Sequence, residues 1–163
     1  MAESEATATA DREIVVTRVF DAPRELVFEA WTDPTRVVQW WGPHGFTTTI
    51  HEMDVRPGGV WRFVMHGPDG TDYPNKVVFV EVSEPDRLVY DHGGGDESDL
   101  QQFRVTVTFE EEGEKTRLTT RMVFVTPGER DRMIEEVGAL DGLNQTLDRL
   151  DDHLRRGSRK EPR

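Results

Sequence analysis

Apolar positions along the chain follow two periods. Residues Glu13 to Phe20 (EIVVTRVF) are rich in β-branched side chains and predict a strand. Asp21-Ala22-Pro23 then opens a helix, because a proline in the first turn lacks only an N–H that has no helical partner anyway. That helix runs to about Trp31 and sets Leu26, Val27, Ala30 and Trp31 on one face. Asp33-Pro34 repeats the device, with Asp33 as N-cap, and a short second helix runs to Trp41 and stops at Gly42-Pro43. Period two then takes over. Strands are predicted at residues 46–55, 60–66, 73–82, 87–92, 101–111 and 115–125, with turn signals at Arg56-Pro57-Gly58-Gly59 and Gly67-Pro68-Asp69-Gly70. Phe103, Val105, Val107 and Phe109 alternate with Arg104, Thr106 and Thr108, which marks a half-buried antiparallel strand. Glu112-Gly113-Glu114 closes it into a tight hairpin.

Helical periodicity returns after Thr126-Pro127-Gly128-Glu129, which spells a capping box with proline at the first helical position. Leu140, Leu143, Leu147, Leu150 and Leu154 form one apolar stripe, and Met133 and Val137 extend it backwards. Gly138 and Gly142 weaken the middle, so a bend or break is expected there. The element order is β-α-α-β-β-β-β-β-β-α, an α+β chain. One sheet of about seven strands has one apolar face and the long C-terminal helix has one apolar stripe. The simplest packing wraps a curved antiparallel sheet around that helix. Because the helix cannot fill both ends of such a grip, an internal cavity is expected between them.

Composition narrows the function. The 163 residues suit one domain, and a chain of this size can bury roughly two thirds of its unfolded surface without a disulfide or metal. No cysteine is present, which removes disulfides, thiolate zinc sites, iron–sulfur clusters and cysteine nucleophiles together. The net charge of −12 argues against a phosphate-neutralising nucleic-acid binder. No apolar run is long enough for a membrane helix, and the N-terminus has no basic or apolar signal region. The expectation is a cytoplasmic, soluble domain at residues 13–155, with a disordered tail at 1–12 and a basic disordered tail at 156–163. The body between the tails carries the acidic surplus, and every aromatic residue lies between Phe20 and Phe124. The picture is an acidic coat around an aromatic interior, which disfavours strongly anionic ligands.

Strand parity then selects candidate site residues. Trp61, Phe63 and Met65 share a face, as do Leu88, Tyr90 and His92, then Gln101, Phe103, Val105 and Phe109, then Leu118, Thr120, Met122 and Phe124. The functional reading is that these faces form a ligand-lining wall, with Trp61, Phe63, Met65, Phe103 and Phe124 as its main contacts, joined by Met133 and Leu143 from the helical stripe. The bland reading is ordinary core packing. Tyr90, His92, Gln101 and Thr120 are polar on the same inward parity, and His92 and Gln101 flank Gly93-Gly94-Gly95-Asp96-Glu97-Ser98-Asp99, a flexible loop expected at the cavity mouth. Equally, His92 and Gln101 could be strand-end residues held in water. Adjacent Trp40 and Trp41 cannot face the same way, so one packs on the core and the other covers a cavity entrance or stays partly exposed. No metal-ligand spacing occurs among His44, His51, His66, His92 and His153, and no serine sits in a nucleophile elbow. No metal or other cofactor is expected.

Several segments together resemble a known family. They are Arg18-Val19-Phe20-Asp21-Ala22-Pro23, Val27-Phe28-Glu29-Ala30-Trp31-Thr32-Asp33-Pro34, Trp40-Trp41-Gly42-Pro43, Arg56-Pro57-Gly58-Gly59-Val60-Trp61, Gly67-Pro68-Asp69-Gly70 and Leu147-Asp148-Arg149-Leu150. In that order they resemble the SRPBCC (START-like, helix-grip) superfamily, and within it bacterial homologues of the heat-shock chaperone ATPase activator's C-terminal domain. The resemblance spans roughly residues 13–155. It implies the helix-grip fold and a cavity for apolar small molecules, and some members are aromatase/cyclases or hydrolases. Members often carry a Gly-Phe-x-x-Gly-Trp pattern on the last helix, where this chain has Gly138-Ala139-Leu140-Asp141-Gly142-Leu143. Ala139 and Leu143 in place of two aromatics would widen the cavity if they point inward. Three readings follow. The first is a binding protein for an apolar or aromatic ligand, as a monomer or weak homodimer without membrane insertion. The second is a cyclase/aromatase-like or hydrolytic enzyme using Tyr90 and His92. The third is a stress-linked co-chaperone-type interaction module, against which stands the expectation of one domain here, since the eukaryotic activator has a separate chaperone-contacting N-terminal domain.

Overall fold

A computed structural model describes residues 12–94, 103–124, 126–137 and 139–160. The elements are β1 (Glu13–Phe20), α1 (Arg24–Thr32), α2 (Pro34–Trp40), β2 (Thr47–Met53), β3 (Val60–His66), β4 (Asp72–Ser83), β5 (Arg87–Gly94), β6 (Phe103–Glu112), β7 (Lys115–Val123) and α3 (Pro127–Arg132). A π turn at Met133–Val137 follows, then α4 (Ala139–Lys160). The seven strands form one antiparallel sheet in the order β1-β7-β6-β5-β4-β3-β2. α1 and α2 carry the chain from one sheet edge to the other, which is why β1 pairs with the last strand and not with β2. This is the α+β helix-grip architecture that the element order and the resemblance imply.

Curvature comes from two register shifts, between Ile50 and Glu52 in β2 and between Phe79 and Glu81 in β4. The extra residue of a bulge sharpens the strand's twist and bend. Val80, the extra residue in β4, is accordingly turned out and exposed. The turn into β3 admits only glycine at one position: a Cβ on Gly59 would lie 2.0 Å from the Asp54 carbonyl oxygen. Strand parity holds along β3, β5, β6 and β7, where Trp61, Phe63, Leu88, Tyr90, Val105, Val107, Phe109, Leu118 and Thr120 are buried. All of these except Thr120 pack with Leu147, Leu150 and Leu154 of α4 into one core.

Local expectations needed four corrections. Pro23 is itself the N-cap of α1, with no side-chain cap from Asp21. The buried face of α1 is Val27, Phe28, Ala30 and Trp31, while Leu26 is exposed, because the sheet lies a little further round the helix than a Leu26-centred stripe requires. The break in the last helix falls before Gly138, as the π turn, whose wider ring re-phases the residues that follow. Gly142 lies inside α4, where a Cβ would make only an ordinary contact with the Pro43 Cγ at 3.6 Å. Finally, α4 continues to Lys160, into the segment expected to be a basic tail. Asp151–Arg155 and Asp152–Arg156 pairs at (i, i+4) support that last stretch, and cations suit a helix C-terminus. By contrast Asp33 caps α2 as expected, accepting from the Thr35 N–H at 3.0 Å. The N-terminal tail through residue 11, the loop at 95–100 and Gln101 lie outside the described residues.

Candidate functional site

A cavity of about 140 Å³ lies between the sheet and α4. β3 contributes Met65, β5 Tyr90 and His92, β6 Phe103 and Val105, and β7 Thr120 and Met122. The opposite wall is Gly142, Leu143, Thr146 and Leu147 of α4, and the end is closed by Trp31 and by Trp41-Gly42-Pro43. Trp31, Tyr90, Val105, Thr120 and Leu147 are buried, whereas Met65, His92, Phe103, Met122 and Leu143 are partly exposed, so the cavity opens on the side of the second group. No Lys, Arg, Asp or Glu occurs among the described lining residues.

The polar groups in this wall are few. His92 Nε2 lies 2.9 Å from Asn75 Oδ1, while Asn75 Nδ2 donates to the Tyr73 carbonyl at 2.8 Å. The second bond orients the amide, so Asn75 Oδ1 accepts and His92 carries its proton on Nε2. Thr146 Oγ1 donates back to the Gly142 carbonyl at 2.8 Å. Thr120 Oγ1 and Trp31 Nε1 are buried without a hydrogen-bond partner. Burial pushes the Tyr90 phenol well above its usual range and lowers the His92 imidazolium to about 4, since neither charged form is solvated there.

The His92 shift has a sign that can be measured. Below pH 6.5 the unfolded chain takes up a proton that the folded chain refuses until about pH 4. Stability is therefore complete above pH 6.5 and is expected to fall by about 2 kcal/mol as the pH drops to 4, allowing for the partial exposure of the ring. Urea midpoints across that range check this, and His92→Gln should remove most of the slope. A residual slope from His153 remains, whose pKa burial also lowers, helped by Arg36 and Arg156. An unchanged slope in the variant would refute the assignment to His92.

Of the side chains singled out in the sequence, Trp41, Met65, Tyr90, His92, Phe103, Thr120 and Leu143 line the cavity. Trp40, Trp61, Phe63, Phe124 and Met133 do not. Trp40 is fully buried beneath α1, its indole N–H donating to the Ala30 carbonyl at 3.0 Å. Trp61 and Phe63 stand behind Trp41, with ring centroids 4.8 and 5.9 Å from it. Phe124 backs Phe103 at 4.9 Å. Trp41 fills the space in front of Trp61 and Phe63, so inward parity puts those two in packed core. Met133 is partly buried in the π turn. The choice between the two adjacent tryptophans is settled by backbone: Trp41 is the C-cap of α2 with extended angles (φ −70, ψ 132), which swings it out of helical register toward the cavity. Val105 and Met122 lie on the faces read as a ligand-lining wall, whereas the lining roles of Trp31, Thr146 and Leu147 were missed, although each lies on an apolar face or next to one.

A sequence model for the family described as Activator of Hsp90 ATPase homolog 1-like protein matches residues 21–155. The chain belongs to this family. The family is part of the SRPBCC superfamily. A solution structure of an Arthrobacter aurescens protein superposes with a TM-score of 0.84 at 27% identity, covering 91% of this chain and 88% of that one. A Mycobacterium smegmatis crystal structure gives 0.80 at 26% identity, covering 88% and 91%. One from Nitrosomonas europaea gives 0.79 at 25% identity, covering 91% and 97%. No curated protein matches at a comparable level.

In this member of the Hsp90 ATPase activator-like family, two of the segments that carry the resemblance meet in space. Arg149 of α4 points Nη1 at four backbone carbonyls of the loop after α2: Trp41 at 3.3 Å, Gly42 at 2.9 Å, Pro43 at 3.1 Å and Phe46 at 3.1 Å. Gln145 Oε1 accepts from the His44 N–H at 3.1 Å beside it. Gly42 has φ +105, a left-handed conformation that glycine adopts without strain. The loop that closes the cavity is thus pinned to the helix that forms its opposite wall. On the outer sheet face, Thr49 Oγ1, His66 and Asp72 are linked at 2.8 and 2.7 Å, the order of groups found in hydrolytic triads. All three are exposed and none lines the cavity, so they make a surface hydrogen-bond chain. Among the described residues no helix is long and apolar enough to cross a membrane, and no cluster of three or more His, Cys, Asp or Glu could hold a metal ion.

Proposed function

We propose that this protein binds an apolar or aromatic small molecule, without covalent chemistry, in the cavity between sheet and α4. The observation that carries the reading is the wall itself: aromatic and aliphatic side chains, a few polar groups and no ionic one among the described residues. Sites for small ligands combine apolar enclosure with a few orienting polar groups. The proposed setting is the cytoplasm, with the chain as a monomer or weak homodimer. Leu143→Trp, placing an indole in the cavity, provides the test. Wild-type protein should gain several degrees of melting temperature with at least one compound of an apolar library, as expected when only the folded state binds. The variant should keep its circular dichroism spectrum and lose that gain. A library with no effect on wild type refutes the reading, and an equal gain in the variant places binding elsewhere.

Tyr90 and His92 side by side in one wall favour an enzyme as the second reading. Proton-transfer groups work best with pKa values near the working pH, and burial drives both of these away from neutrality. That makes them better suited to holding a ligand than to moving its protons. The family's description supports a co-chaperone role, for which stimulation of a bacterial chaperone's ATPase turnover is the assay.

A further inference from the structure

A glycine inside a helix weakens it, because its backbone loses more freedom on folding than that of alanine. Two local needs ordinarily keep one there, a left-handed backbone angle or a packing contact too close for a Cβ. Neither holds at Gly142. The residue lies within α4, in helical backbone. Outside the helix's own backbone, a Cβ there would meet one atom within 4 Å among the described residues, Pro43 Cγ at 3.6 Å, an ordinary van der Waals distance. The room it would take lies beside the cavity, because Gly142 and Pro43 both line it. Nor does the facing loop close onto the bare helix. Arg149 Nη1 holds the Gly42 and Pro43 carbonyls at 2.9 and 3.1 Å, which fixes Pro43 at its distance. The cavity measures about 140 Å³, close to the roughly 150 Å³ of an engineered cavity that takes up benzene. In so small a space a single added carbon is felt.

Resting on the binding reading above, we infer that Gly142 sets the size of the ligand that the cavity admits. The bare backbone of α4 at this position is a shelf in the cavity wall, and the ligand takes the volume that a side chain would otherwise fill. The helix gives up stability to keep that volume open. Gly142 is thus a specificity-determining residue. It acts on uncharged apolar ligands, because no Lys, Arg, Asp or Glu stands among the described lining residues to receive a charge.

Full-length protein titrated with benzene, ethylbenzene and butylbenzene, followed by protein NMR shifts, tests this. Gly142→Ala should raise the ligand-free melting temperature by about 1–4 °C, as alanine does in a helix whose backbone it fits. The same variant should bind the largest hydrocarbon that wild type accepts at least about tenfold more weakly, the usual effect of overfilling a packed space, and smaller ones with a smaller loss. Gly142→Val should extend the loss to all three. Asp141→Ala, on the exposed side of α4, should leave every affinity unchanged. Stability and affinity moving in opposite directions separate a ligand-size role from ordinary helix packing, under which both would move together. If Gly142→Ala binds all three as wild type does, loses them by one common factor, or melts at a lower temperature, the inference is overturned while the binding reading stands. The same holds if no hydrocarbon binds wild type although a compound of the apolar library does. If Gly142→Val does not fold, the alanine comparison still decides. If neither hydrocarbons nor library bind wild type, both fall together.

Discussion

Replacing Trp40 by alanine should lower the stability of the fold by about 4 kcal/mol, the upper range for deleting a buried aromatic side chain. Trp40 is fully buried, and its ring meets Trp31 at 5.1 Å and Trp41 at 5.3 Å, both edge-on. Edge-to-face pairs add attraction beyond the burial of area. Truncation therefore removes apolar burial, leaves a cavity where α1, α2 and the sheet meet, and orphans the Ala30 carbonyl that the indole N–H satisfies at 3.0 Å. Domains of this size are stable by only about 5–15 kcal/mol, so the variant should unfold at markedly lower urea concentration. Trp40→Phe, which keeps a ring and loses the N–H, should cost about half as much. A loss below about 1 kcal/mol in the alanine variant would show that the corner between α1, α2 and the sheet collapses to fill the gap, contrary to this packing.

Arg149→Met should cost about 3 kcal/mol and should also weaken ligand binding. The four carbonyls facing Nη1 share its two hydrogens and lie in the charge of the guanidinium, and charge-assisted bonds of this kind exceed neutral ones. Burial lowers the Arg149 pKa, yet a guanidinium keeps its charge at any pH the fold survives. Methionine keeps the stem and abandons the carbonyls, releasing the loop that places Trp41, Gly42 and Pro43 against α4. Two readouts separate this from generic destabilisation. Amide exchange should accelerate in residues 41–46 more than in the sheet, and affinity for any cavity ligand should fall more than the global stability loss explains. Arg149→Lys should recover part of both, since an ammonium supplies charge without the planar fork. Unchanged exchange in residues 41–46 would remove Arg149 from this positioning role.

Much of the architecture was legible because it is written in short-range periods. Alternation in β3, β5, β6 and β7 assigns each side chain a face through the local pleat, so the inward positions of Met65, Tyr90, His92, Phe103 and Thr120 needed no tertiary information. Asp33-Pro34 predicts the start of α2 for the same reason, since capping acts within one turn. The buried stripe through Leu147, Leu150 and Leu154 follows from helical spacing. Errors arose where local signals were weak or competed. Asp21 and Pro23 both resemble a helix start, and the π turn at Met133–Val137 has no compositional mark.

Facing inward and lining a cavity are different properties, and the second is not a local one. Trp61 and Phe63 share parity with Met65, but the volume in front of them is taken by Trp41, which reaches it only because α2 ends in extended backbone. Phe103 meets the cavity while Phe124, tilted against it, does not. Arg149 reads in the sequence as one more charge beside a leucine stripe, and its role depends on carbonyls more than a hundred residues away along the chain. The chain's own alternation and spacing thus specified which faces are apolar, that the sheet and the last helix must close on each other, and that the interior holds no cysteine chemistry. Which few of those apolar faces border empty space was settled by how the two helices and their loop fill the grip. That filling is a sum of contacts between distant segments, and no period in the sequence encodes it.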